Sequence, residues 1–171
     1  MKEPLDSVDS SAFLGKTLLA VMLVSDIRKT MSSLALLGIG PWSLYRLGPH
    51  NVTDAQYRGR PLTARLELAM ASVGSLTWEL IQPIDGECAQ QEYLSRHGNG
   101  IHHFAVDCND LEWDRRVIEF EKRGFSLVQS GIWLGRVNFG YFESPSAGGM
   151  VIESVAIPSD FVFPPPDEVY P

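Results

Sequence analysis

The sequence predicts an α+β protein built from two copies of one strand–helix–strands unit. Three observations carry this prediction. Residues 19–27 (LAVMLVSDI) and 103–111 (HFAVDCNDL) are apolar alternating runs that end in Asp plus an apolar residue. Each run leads into a helix-like segment, MSSLALLGIG after Asp26 and DRRVIEFEKRGF after Asp110. WELIQP (78–83) is then echoed by IESVAIP (152–158), each a strand-like run that holds a glutamate and closes on proline. Such self-similarity marks a duplicated supersecondary unit.

Taken in order, residues 1–15 read as a flexible N-terminal arm rich in acids. A strand covers 17–24, with Leu19, Val21 and Leu23 on one face. A helix follows over 27–37, where Ile27, Met31, Leu34 and Leu37 fall at helical spacing and Gly38 and Gly40 end it. Trp42 opens a short strand, WSLYRL, and the polar segment 48–62 reads as an exposed loop. TARLELAMASV and SLTWELIQP form an antiparallel pair across Gly74-Ser75. Residues 85–100 form a connector with one helical turn at 88–95.

The second unit opens with a strand over 101–108 and a helix over 110–123, capped by Asn109 or Asp110 and ended by Gly124. Strands follow at 125–130, within GIWLGRVNFGYFES, and at MVIESVAI. The single domain is therefore 16–157, with unit one at 16–84 and unit two at 101–157. The tail, 158–171, holds too many prolines for a helix or inner strand. It either lies over the body through Phe161 and Phe163 or stays mobile.

The chain has 171 residues, 44% hydrophobic and 20% charged, which suits one globular domain with its own core. A net charge of −7 argues against nucleic acid, which favours basic patches. Cys88 and Cys108 lack CxxC spacing and read as reduced, structural thiols. The N-terminal residues carry no apolar run of a signal peptide, and no stretch approaches the ~18 apolar residues of a membrane span. The expected location is cytoplasmic.

Aligning Asp26 with Asp110 sets Leu19 opposite His103, and aligning the closing strands pairs Glu79 with Glu153. His103, Glu79 and Glu153 then come from corresponding places in two repeats and can converge on one centre. Strand parity puts Glu79 on the face of Thr77 and Ile81, and Glu153 on that of Val151 and Val155. One His and two Glu suit a divalent ion (Zn²⁺, Ni²⁺, Co²⁺, Fe²⁺ or Mn²⁺) or acid–base work. Parity sends His102 to the opposite strand face and keeps Asp107 on the face of His103. His50 and His97 lie in polar segments, and Asp26 and Asp110 suit helix N-termini. Trp42, Trp133, Phe139 and Tyr141 are candidate pocket lining, and together they suggest an aromatic or bulky ligand. Neither a phosphate-cradling GxGxxG nor a GxSxG serine elbow occurs.

SDIRKTMSSLALLGIGPW, WELIQPIDG, HGNGIHHFAVDCNDL and GYFESPSAGGMVIESV together resemble the vicinal oxygen chelate superfamily. It includes glyoxalase, methylmalonyl-CoA epimerase, ring-cleaving dioxygenases and bleomycin-resistance proteins, and the segments resemble its epimerase-like branch well. The resemblance spans about residues 17–157. It implies two βαβββ modules that form one cupped, barrel-like mixed sheet, within a homodimer that covers exposed sheet edges. It also implies a four-ligand metal site, onto which Glu79, His103 and Glu153 carry over. The remaining position, normally His, is Leu19 here.

The resulting expectation is an isomerase- or lyase-type enzyme acting on a small carbonyl metabolite, aromatic or polycyclic. Catalysis would proceed by proton abstraction with enolate stabilisation, with or without a divalent metal. Glu79, His103 and Glu153 would form the centre, and Leu19, Asp107 and the four aromatics would contact substrate. The rival from another class is a non-catalytic protein that binds or sequesters a small hydrophobic molecule. A metal-dependent dioxygenase is a further alternative, weakened by Leu19.

Overall fold

The computed structural model describes residues 13–171. The expected N-terminal arm therefore lies almost wholly outside the described residues. Eleven strands form one curled sheet: β1 (Thr17–Leu23), β2 (Trp42–Leu47), β3 (Val52–Tyr57), β4 (Arg60–Pro61), β5 (Arg65–Val73), β6 (Leu76–Asp85), β7 (Gly100–Val106), β8 (Ser126–Trp133), β9 (Val137–Glu143), β10 (Val151–Ala156) and β11 (Glu168–Tyr170). Three helices accompany them: α1 (Ile27–Ala35), α2 (Ala89–His97) and α3 (Trp113–Lys122).

The strand order is β11-β2-β5-β6-β1-β7-β10-β9-β8-β3-β4. Its middle is a palindrome, β2-β5-β6-β1 meeting β7-β10-β9-β8, in which β1 runs parallel to β6 and β7 parallel to β10. The two halves join where β1 and β7 pair antiparallel. There Leu19 faces Ala105 and Val21 faces His103, two pairs that exchange when the repeats are swapped.

Local chemistry explains the shared pattern. Asp26 accepts a hydrogen bond from the Lys29 amide at 2.9 Å and caps α1. Both α1 and α3 end in the same left-handed closure. Ile39 N–H bonds the Leu34 carbonyl around Gly38, and Phe125 N–H bonds the Phe120 carbonyl around Gly124, each glycine having φ of +79°. This closure stops α1 at Ala35, short of the expected 37, and leaves Leu37 76% exposed.

The convex face of unit one packs on α1 through Met31, Trp42, Leu44 and Leu80, and that of unit two on α3 through Phe120, Phe142 and Ile152. The concave face keeps Leu19, Val21, Leu68, Ala105, Trp133 and Val155.

Several elements differ from expectation for identifiable reasons. The segment 48–62 is not a free loop: β3 pairs with β8, Val52 opposite Trp133 and Tyr57 opposite Gln129. It reads as polar because one of its faces meets water. The connector holds a full helix, α2, capped by Cys88. Helix α3 begins at Trp113, because Asp107 caps a tight turn at Cys108–Asp110, where all three φ are positive.

The tail lies over the body and ends as β11 on the free edge of β2. Glu168 takes hydrogen bonds from Arg28 at 2.6 Å and Arg46 at 2.8 Å, and Asp160 from Arg136 at 2.6 Å. Both edges of the doubled sheet are thus covered by the chain's own segments, β11 on β2 and β3 on β8. The edge argument for a homodimer is met within one chain. Among the described residues, no helix is long and apolar enough to cross a membrane.

Candidate active site

The concave face of the cup encloses a cavity of about 140 Å³. Its walls are hydrocarbon and aromatic, with Leu19, Leu68, Trp133 and Phe139 among them. The polar groups that reach it are Glu79, Glu153, Tyr141 and Gln129. Glu79 comes from β6 and Glu153 from β10, the two closing strands of the repeats. Both are nearly buried, 4% and 6% exposed, and His103 behind them is 1% exposed.

Unit two equips its carboxylate with donors. His103 Nε2 lies 3.2 Å from Glu153 Oε2. Tyr141 stands directly opposite Glu153 across β9 and β10 and sets its phenol beside that carboxylate. His102 Nδ1 lies 2.8 Å from His103 Nδ1. Only one of two facing ring nitrogens can carry the proton. If His102 donates, the Nε2 of His103 keeps its hydrogen and donates to Glu153, so both contacts of His103 carry a hydrogen. The opposite arrangement turns a bare His103 Nε2 toward the carboxylate. The network therefore assigns a neutral His102 donor, His103 as relay and Glu153 as acceptor. Burial, with His103 alongside, pushes the His102 pKa down to about 3, in keeping with a neutral ring.

Unit one offers its carboxylate nothing comparable. The position opposite Glu79 on β5 is Met70, where unit two has Tyr141. The repeat counterpart of His103 is Leu19. Among the described residues Glu79 has no hydrogen-bond partner. Burial first, and then the charge of Glu153, push its pKa well above the usual carboxylate range. Burial and the two carboxylates likewise push Tyr141 up, so its phenol stays protonated.

The structure brings Glu79, Glu153, Leu19, Trp133, Phe139 and Tyr141 to the cavity, with His103 against Glu153. It does not bring Trp42 or Asp107. Trp42 packs against α1 on the convex face, because the even positions of WSLYRL turn outward. Asp107 lies beyond the end of β7 and accepts from Lys16 and Asn109 amides instead. His102 is a further correction. The register slips between Val21 and Met22, whose partners are His103 and Ile101, so His102 is the extra residue of a β-bulge. Its ring is thereby free to meet His103 rather than point to the far face.

Gln129 and Gln90 escaped the sequence reading. Gln129 donates to Gln90 at 3.0 Å and accepts from the Ala89 amide at 2.8 Å, tying α2 to the cavity wall. Gln129 shares strand parity with Trp133, which was a usable signal; Gln90 had none.

The donor set does not fit a three-ligand metal centre as arranged. Among the described residues no three His, Cys, Asp or Glu side chains stand in a metal-holding group. Both nitrogens of His103 already face partners, His102 and Glu153. Leu19 adds hydrocarbon where a donor would stand.

Residues 20–141 match the family model of the glyoxalase/bleomycin resistance protein/dioxygenase superfamily. The chain belongs to this superfamily. Among solved structures, a hypothetical protein from Bacillus halodurans C-125 aligns with TM-score 0.64 and 16% identity, covering 87% of this chain and 98% of that one. Methylmalonyl-CoA epimerase from Mycobacterium tuberculosis aligns with TM-score 0.59 and 16% identity, covering 87% and 92%. The Streptomyces coelicolor methylmalonyl-CoA epimerase in complex with 2-nitronate-propionyl-CoA aligns with TM-score 0.57 and 16% identity, covering 83% and 96%. No curated protein matches at the sequence level. At this identity the structural likenesses establish the superfamily fold and leave the chemistry to the cavity.

Proposed function

We propose that this superfamily member is an isomerase- or lyase-type enzyme that moves a proton next to a carbonyl, using two carboxyl groups in opposite roles. The observation that carries the reading is the asymmetry of the pair. Glu153 has a hydrogen bond from His103 and the Tyr141 phenol beside it, whereas Glu79 has neither and holds its proton. Two carboxyl groups in unlike environments divide the acid and base roles.

In this scheme the substrate carbonyl oxygen accepts a hydrogen bond from protonated Glu79. The Glu153 carboxylate takes the proton from the adjacent carbon. Charge that develops on the oxygen is met by the Glu79 proton, so an enol-like species forms without free charge in an apolar cavity. Return of the proton to the opposite face of that carbon, after the enol turns over in the cavity, gives the epimer. For dehydration, Glu79 gives its proton to a β-hydroxyl, which leaves as water as the carbonyl re-forms and the α,β double bond is made. His103, backed by His102, orients Glu153 and shares its charge as the proton arrives and departs.

Solvent exchange tests the reading before the substrate is known. The protein is incubated in D₂O with neutral ketones, enones and acyl thioesters, and deuterium uptake is read by mass spectrometry. The expected result is uptake on at least one compound class, slowed about 100-fold or more in Glu79→Gln and in Glu153→Gln. Uptake by no compound, with ligands still bound, would leave a sequestering protein instead.

A further inference from the structure

We infer that the cavity takes an uncharged, one- or two-ring carbonyl compound rather than an acyl thioester of a phosphorylated carrier, and that the C-terminal tail holds its far end. The inference rests on the proposed acid–base site only for the carbonyl; the remaining argument comes from walls, charge and volume.

Charge comes first. Among the described residues no Lys, Arg or His side chain lines the cavity, and the ionisable groups that do are Glu79, Glu153 and Tyr141. A carboxylate or phosphate ligand would be desolvated beside the Glu153 carboxylate with no cation to offset it. The arginines that hold the tail are occupied: Arg136 pairs with Asp160, while Arg28 and Arg46 pair with Glu168.

Volume comes second. The cavity measures about 140 Å³. An apolar protein cavity of roughly 150 Å³ accommodates benzene, so one ring fits within that space and a second extends through its open mouth.

The tail supplies the third observation. Ile157 and Phe163 line the cavity from the C-terminal segment. Phe163 stacks near Trp133 at 5.8 Å between ring centroids, and Phe161 near the same ring at 5.9 Å. Tyr45 closes the third side of that indole at 5.8 Å. The outer part of the ligand therefore meets an aromatic wall pinned by Glu168, 2.6 Å from Arg28. Flat rings suit such a wall, and a flexible charged chain does not.

The test is direct titration of the full chain at pH 7.5, by calorimetry and by quenching of tryptophan fluorescence. The probes are 1-tetralone and acetophenone as neutral ketones, 2-naphthoate as the charged bicyclic control, and propionyl-CoA as the thioester. Saturable binding of a neutral ketone is expected, with 2-naphthoate at least about tenfold weaker and no saturation by the thioester. Phe163→Ala, at a partly exposed position that the fold tolerates, should weaken the ketone about threefold to tenfold. Equal or tighter binding of 2-naphthoate or of propionyl-CoA, no binding of either ketone, or an unchanged Phe163→Ala affinity would overturn the inference. Ketone binding without deuterium exchange would instead refute the catalytic reading and leave the ligand class standing. Exchange on the thioester alone would do the reverse.

Discussion

Replacing Glu79 by Gln should make the protein more stable, and by an amount that grows with pH. In the folded chain Glu79 is buried beside Glu153 and its pKa is raised well above the normal range. In the unfolded chain it titrates near 4.3 as about any exposed glutamate does. Between those two values the folded state holds a proton that the unfolded state has released. Stability therefore falls as pH rises, by at most about 1.4 kcal/mol per pH unit for one proton, and the slope ends above the folded pKa. Glutamine has no proton to hold, and its amide keeps nearly the same volume, so the variant lacks this slope. With a urea m-value of about 2 kcal/mol/M, the parent midpoint should drop by roughly 0.7 M per pH unit relative to the variant. Urea titrations of both proteins at several pH values between 5 and 8 measure the gap directly. Taking the difference cancels the ionisable groups that lie away from the cavity and are common to both proteins. Parallel curves, with a gap constant across that range, would refute the claim that Glu79 folds in its protonated form.

Four other outcomes follow from the same geometry. Met70→Tyr places a phenol opposite Glu79, as Tyr141 stands opposite Glu153, and should flatten that pH slope in urea titrations. His102→Phe removes the partner 2.8 Å from His103 Nδ1, so ¹⁵N NMR should show His103 moving from a pure Nε2–H form to a tautomer mixture. Arg116 is buried and donates to the carbonyls of Leu111 and Val155 and to Ser154 Oγ, so Arg116→Met should cost about 2–4 kcal/mol in urea unfolding. Elemental analysis after incubation with Zn²⁺ and dialysis should give well under one ion per chain. A stoichiometric ion that disappears in Glu153→Ala would show that the donor set reorganises around metal.

What was legible in the sequence depended on whether one face or two faces of a strand are buried. Glu79, His103, Glu153, Phe139 and Tyr141 lie on strands whose parity places them on the concave face, and the repeat alignment placed their strands together. Trp42 failed the same reasoning because WSLYRL is apolar on both faces, Trp42 and Leu44 toward α1 and Tyr45 and Leu47 toward the cavity. Parity within a strand says which residues share a face but not which face is the inner one. Asp107 failed because the strand ends at Val106, where alternation stops being informative. His102 failed through a bulge, which is a property of the β1–β7 register and leaves no mark in a single strand's sequence. The pairing of β3 with β8 was hidden for a similar reason: VTDAQY is half-exposed and looks polar until the partner edge is known.

The doubled backbone also gives the proposed division of labour a physical origin. Duplication places two glutamates at related positions on β6 and β10, and a symmetric pair would share one proton without preference. Divergence at two related positions breaks that tie. Unit two keeps a His and a Tyr around its carboxylate, whereas unit one has Leu19 and Met70 at the counterparts. Both replacements remove a donor and add hydrocarbon, so both push in one direction, toward a neutral Glu79 and an accepting Glu153. The substitution that spoils a four-ligand metal site is thus the same one that gives the cavity a poised acid. A donor placed at either position in unit one would make the two carboxyl groups more alike and weaken the distinction on which the proposed proton transfer depends.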